Sequence, residues 1–215
     1  MDSCPVCGYN PNPILKVVSS EELRQQRVKN LIMVHAQQSW WVSQTYEVCA
    51  WLRSNGFWAR KLLDVGCGDG RWIPALEKHY PGIQYTGIDR LKEHIGQNQL
   101  NFPEHKWLWG DFTKSEFRPG DFDALLFGGT FNPKIEPEQH QIDIINKAIE
   151  LQPNFIFILF DLACSGRPPK NYLKDKYRRV RSYEISRDSK NSHQYLKMWV
   201  YGRYMDAPVN GNGQH

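Results

Sequence analysis

Apolar positions in the first quarter of the chain follow helical spacing. Between residues 21 and 54, Leu31, Val34, Gln38, Trp41, Thr45, Val48 and Leu52 recur at alternating steps of three and four, the signature of one helix face. Asn55-Gly56 supplies the stop, since glycine readily takes the left-handed conformation that closes a helix. The preceding CPVCGYNPNP, broken by prolines, predicts an irregular arm over 1–20. From residue 61 short apolar runs alternate with helical stretches. They predict strands at 61–65, 84–88, 106–109, 124–127 and 155–160, with helices near 71–79, 91–97 and 136–151. The last of these helices places Ile142, Ile145, Ala148 and Ile149 on one face. Runs such as FIFILF, apolar without alternation, suit strands covered on both faces, as in a parallel sheet flanked by helices. Segments 177–186 and 195–204 do alternate, and the polar RDSKNS between them predicts a terminal antiparallel hairpin. The expected fold is a doubly wound, mostly parallel α/β sheet of seven strands, with helical segment 21–57, sheet domain 58–205 and a disordered tail over 206–215.

Composition narrows the class. The chain of 215 residues is 40% hydrophobic, enough for one real core, and holds no apolar run long enough to span a bilayer. With no secretory signal in MDSCPVCGYN, a cytoplasmic location and no membrane partner are expected. Five cysteines, an odd number, fit reduced thiols better than a disulfide framework. Cys4 and Cys7 have the spacing of half a zinc ribbon, but no second pair completes a tetrahedral site, so no metal is expected. The net charge of +4 is modest, although residues 170–190 concentrate eight bases against three acids. A solvated basic face accounts for that segment, and a nucleic-acid surface is the alternative.

KLLDVGCGDGRW is the most informative stretch. Its glycines would let the backbone turn sharply and approach a ligand at the carboxyl edge of the sheet, where open α/β folds bind. The GxGxG spacing differs from the dinucleotide GxGxxG, and the Lys-Ser/Thr of a phosphate-binding loop is absent. Roughly 20 residues on, Asp89 closes the second strand, where an acid accepts from both hydroxyls of a ribose. Gly110-Asp111-Phe112 closes the third, offering an acceptor for an exocyclic amine and a flat ring for a base. Each has a plainer reading: the glycines as turn formers, Asp64 and Asp111 as helix N-caps, Phe112 as core.

DVGCGDG, GIDR and WGDF, closing successive strands in that order, resemble the class I S-adenosylmethionine-dependent methyltransferases. The resemblance covers roughly residues 58–204 and implies S-adenosyl-L-methionine as cofactor. It places Asp64, Gly66 and Gly68 on the methionine and ribose side, with Cys67 in the same turn. Asp89, followed by Arg90, would hold the ribose hydroxyls, and Asp111 with Phe112 would face the adenine. Phe127, Gly128, Gly129 and Thr130 would lie beneath the sulfonium. It also makes the helices of 21–57 a lid, in which Trp40 and Tyr46 lie off the apolar stripe and would close over a substrate.

Methyl transfer from a sulfonium needs chiefly placement and, where required, removal of a proton. Candidates for the latter are Asp161, closing FIFILFD, with His140 and His35 behind it. The expected acceptor is an oxygen or nitrogen on a small molecule. An RNA or DNA methyltransferase using the 170–190 segment is the alternative, and the loop after strand four weakens it. Asn132-Pro133 is followed there by Lys134-Ile135, without the second proline and aromatic of adenine-amino methyltransferases. A cofactor-binding partner protein without turnover and a nicotinamide dehydrogenase are the remaining readings.

Overall fold

A computed structural model describes residues 39–131, 137–161, 173, 176–186 and 195–203. The chain divides into two compact units, Met1–Ser43 and Gln44–His215. Of the first, only the opening of helix α1 (Ser39–Ser54) is described, so most of the expected arm and lid, the 206–215 tail, Cys4, Cys7, Cys164 and His35 lie outside the described residues.

The second unit follows the predicted alternation: β1 (Lys61–Val65), α2 (Ile73–His79), β2 (Gln84–Asp89), α3 (Lys92–Asn101), β3 (Lys106–Trp109), β4 (Ala124–Gly128), α4 (Glu138–Glu150), β5 (Phe155–Asp161), β6 (Tyr177–Ser186) and β7 (Tyr195–Arg203). The seven strands lie in the order β3-β2-β1-β4-β5-β7-β6. β1 to β5 pair in parallel, while β7 runs antiparallel to both β5 and β6. The order reverses between β1 and β4. The loops leaving those two strands therefore diverge and open a crevice at the carboxyl edge.

Strand pleating sorts side chains between the two faces. Leu63, Val65, Leu125, Phe127, Ile156 and Ile158 pack with Ile144, Ile145 and Ala148 of α4 in one core. Leu62, Leu126 and Phe157 meet Cys49 and Leu52 of α1 and Leu76 of α2 on the other. From Gln44 onward α1 is therefore a layer of the fold: Thr45, Val48, Cys49 and Leu52 are buried, and Trp51 stacks on Tyr183 of β6. The ring of Tyr46, expected in the lid, meets His79 edge-on at 6.3 Å with Lys78 over its face. A step of five residues from Trp41 turns Tyr46 off the predicted stripe and toward α2.

Smaller differences have local causes. α3 runs past the expected 97 to Asn101, because its buried side contains a polar residue, Asn98, that hydrophobic periodicity does not count. On α4 the buried set is Gln141, Ile144, Ile145 and Ala148, a stripe rotated from the expected one, with Ile142 and Ile149 half-buried.

One acid lies inside this core. Asp64, mid-sheet on β1, is 1% exposed; its Oδ2 accepts from the Tyr85 hydroxyl at 2.7 Å, and its Oδ1 has no hydrogen-bond partner. Burial pushes its carboxyl up to about 7, against the opposing pull of the Tyr85 hydrogen bond. Such an acid holds its proton longer folded than unfolded. Its contribution to stability is therefore full at low pH and falls as pH rises from about 4 to about 7, by an amount on the order of a few kcal/mol. Asp64→Asn keeps an acceptor for Tyr85 without the buried charge, so urea unfolding should show the variant gaining on the parent between pH 5 and pH 8. Two glycines give a steric comparison. A Cβ at Gly87 would lie 2.6 Å from the Trp107 ring and 2.9 Å from Cys67 Sγ, whereas one at Gly96 meets nothing within 4 Å. Gly87→Ala should cost about 1–3 kcal/mol and Gly96→Ala, mid-helix, should add about 0.5–1 kcal/mol, read as shifts of the urea midpoint.

Candidate functional site

The carboxyl ends of four strands converge on one crevice. After β1 the chain turns through Gly66, Cys67, Gly68, Asp69 and Gly70, and the Gly66 and Cys67 amides donate to the Ile88 carbonyl at 2.8 and 3.2 Å. Gly66 has φ +72°, and a Cβ there would lie 3.0 Å from Thr130 Oγ1. Glycine thus serves both the backbone conformation and the approach of the β4 loop. Thr130 fixes that approach by donating to the Val65 carbonyl at 2.6 Å.

Asp89, at the end of β2, organises the turn. Its Oδ2 accepts from the Gly68 amide at 2.9 Å and its Oδ1 from the Leu91 amide at 2.8 Å. Burial raises this carboxyl, but the neighbouring His94 and the two amides outweigh it and hold Asp89 below the usual carboxylate range. Each oxygen keeps a lone-pair direction beyond its amide, so the group can still accept from a ligand diol. Across the turn, Asn98 Nδ2 donates to the Gly68 carbonyl at 2.7 Å.

Asp111 caps the 3-10 turn Phe112–Lys114 after β3, its Oδ1 accepting from both the amide and the hydroxyl of Thr113 at 2.9 and 2.8 Å. Burial alone would raise it; the Thr113 hydrogen bonds, with His140 and Arg90 nearby, lower it instead. Its capping role and its place at the crevice coexist, because the second oxygen takes no part in the cap. Phe112 likewise has two roles: it is buried against Phe127 at 6.2 Å and forms part of the crevice wall.

These residues enclose a cavity of about 530 Å³. Gly66, Asp89, Arg90, Asp111, Phe112, Gly129, Thr130 and His140, all singled out from sequence, stand on its wall. Asp64, Cys67, Gly68 and Gly128 do not line it. Asp64 is sealed against Tyr85, and Cys67 is a buried thiol that burial pushes well up. Gly68 serves the turn through its peptide, and Gly128 abuts Trp72, whose Nε1 would lie 2.6 Å from a Cβ there. Among the remaining candidates, His140 lies in the first turn of α4 on the Asp111 side of the cavity. The side chains of Asp161 and Trp40 lie outside the described residues. Glu77, Glu104 and His105 come together elsewhere, where His105 Nε2 lies within hydrogen-bonding distance of Glu77 Oε1, at 3.0 Å. Sequence reasoning missed His94 and Asn98, and it placed Thr130 at the site without its hydrogen bond to Val65. His94 and Asn98 share a helix face at a spacing of four, but nothing in the spacing shows that this face meets the glycine turn.

The profile of the methyltransferase-domain family matches residues 62–150, from β1 through α4. The chain is 30% identical over 63 residues to trans-aconitate 2-methyltransferase of Delftia acidovorans, a stretch covering 29% of this chain and 24% of that protein. It therefore spans about a quarter of the length of that curated relative. In fold it resembles the magnesium protoporphyrin IX methyltransferase of Synechocystis, solved with S-adenosylmethionine bound, at a TM-score of 0.62 and 17% identity over 86% of this chain and 92% of that one. It also resembles the N-methyltransferase NodS of Bradyrhizobium japonicum, at 0.59 and 15% identity over 75% and 95% of the two chains. The strand order with its reversed β7 is consistent with the class I methyltransferase fold that both structures show, and the stretch from β1 through α4 is similar to the methyltransferase-domain family.

Proposed function

We propose that the protein is an S-adenosylmethionine-dependent methyltransferase that methylates an oxygen or nitrogen of a small molecule. One observation carries the reading: Gly66, Asp89, Asp111 with Phe112, and Gly129 with Thr130, each at the end of a different strand, wall a single cavity of about 530 Å³. The cofactor would supply a sulfonium that already activates its methyl group. Asp89 would accept from the ribose hydroxyls through the lone pairs its two amides leave open, and Asp111 would accept from the adenine amine beside Phe112. His140, on the Asp111 side, belongs to the nucleoside end in this reading and not to proton removal. Strand placement supports a small acceptor. Arg178, Arg179 and Arg181, the described arginines of the basic segment, are exposed on β6, the sheet edge three strands beyond β4. At about 4.8 Å per strand they stand roughly 14 Å from the crevice. Their exposure is what favours the second reading, methylation of a nucleic acid.

Calorimetric titration with S-adenosylmethionine, S-adenosylhomocysteine and NAD tests the cofactor. Both sulfur ligands should bind at micromolar concentration and NAD should not. Asp89→Ala, checked for folding by circular dichroism, should weaken both by about 10- to 100-fold, the range for losing hydrogen bonds to a charged acceptor. A folded variant with parental affinity would overturn the assignment of Asp89. Retention on RNA or DNA that falls steeply between 50 and 200 mM salt would favour the second acceptor class; its absence at low salt would remove that class.

A further inference from the structure

We propose that His94 is a positioning residue for the cofactor, an imidazolium that aligns the Asp89 carboxylate, so that cofactor binding takes up a proton. The inference rests on the cofactor reading above. His94 lies in the first turn of α3, one turn before Asn98, so the two side chains share the helix face turned toward the glycine turn. Its Nδ1 is buried, makes no hydrogen bond, and lies 3.7 Å from Asp89 Oδ2, the oxygen that also holds the Gly68 amide. At that separation the protonated ring and the carboxylate attract as charges without a hydrogen bond, so the second lone pair of Oδ2 stays open to a ligand.

The charges around His94 favour the protonated ring. Asp89 on β2 is the main one and raises it; Asp69 on the glycine turn adds to this, while burial and Arg71 on the same turn oppose it. The acids prevail, and His94 stands above its ordinary value. On Asp89 itself the backbone amides take one direction on each oxygen. An imidazolium held at this distance from Oδ2 steadies the carboxylate through its charge, displacing neither amide and leaving the second lone pair of each oxygen to a ligand hydroxyl. Filling the cavity then removes water from beside Asp89, the member of the pair on its wall, and strengthens the attraction, since the same separation counts for more in a less polar medium. Binding and protonation of His94 therefore favour each other. Loss of the proton leaves the carboxylate held by its two amides alone.

The proton is followed in the intact chain by two measurements. NMR titration of the ligand-free protein should show the His94 ring titrating above the ordinary histidine value, and returning toward it in Asp89→Asn. Calorimetry with S-adenosylhomocysteine, run near pH 7.5 in buffers of different ionisation heat, should show proton uptake. Affinity should weaken by about three- to tenfold between pH 6 and pH 8.5 as the linkage is lost. His94→Gln should bind weakly with a flattened profile, and His94→Lys, with a charge that persists across this range, should bind tightly and also flatly. A raised His94 titration together with tight binding that is independent of pH would overturn the proposal and leave the cofactor assignment standing. A His94→Gln profile as steep as the parent's would do the same. If the homologue fails to bind at any pH, both readings fall together.

Discussion

The Gly68 peptide is gripped from both sides, its N–H by Asp89 and its carbonyl by Asn98, and the crevice depends on that grip. A glycine-rich turn loses more backbone entropy on ordering than other sequences do, so it needs strong local partners to hold one shape. Here the partners come from the end of β2 and the inner face of α3, elements placed by the sheet and not by the turn. The cavity wall is thus defined before any ligand arrives, which lowers the entropic cost of binding.

Two acids on adjacent strands show how neighbours decide what a carboxylate does. Asp64 is shut in with a single phenol hydroxyl and retains its proton toward neutrality. Asp89 has two amides and an imidazole around it and stays ionised. Sequence alone assigned both to the cofactor. Only Asp89 reaches the cavity wall, and the lone pairs left open there are what a diol requires.

The architecture was legible because each layer leaves a local mark. FIFILF announces a strand covered on both faces, and alternation in segments 177–186 and 195–204 announces the hairpin; both stand where the pattern put them. The acids after β2 and β3 were legible for the same reason: their role follows from which strand they end. What escaped were the side chains that act across elements. Asn98 looks like any polar residue of an exposed helix until folding brings it to the Gly68 carbonyl, and Thr130, placed at the site by the strand it follows, gave no sign of its bond to the Val65 carbonyl. Tyr46, which lies off the predicted stripe, meets a second helix lying alongside, and a single helix pattern carries no information about such a neighbour.

The close approach of Gly87, Cys67 and Trp107 has a consequence for how this sequence can drift. The Trp107 ring occupies the space a side chain at 87 would need, and the Cys67 thiol closes the other side. No one of the three can enlarge alone. Change at these sites is admissible only as a coordinated exchange in which Trp107 shrinks as Gly87 grows, so positions twenty residues apart along the chain are bound to covary as one steric unit.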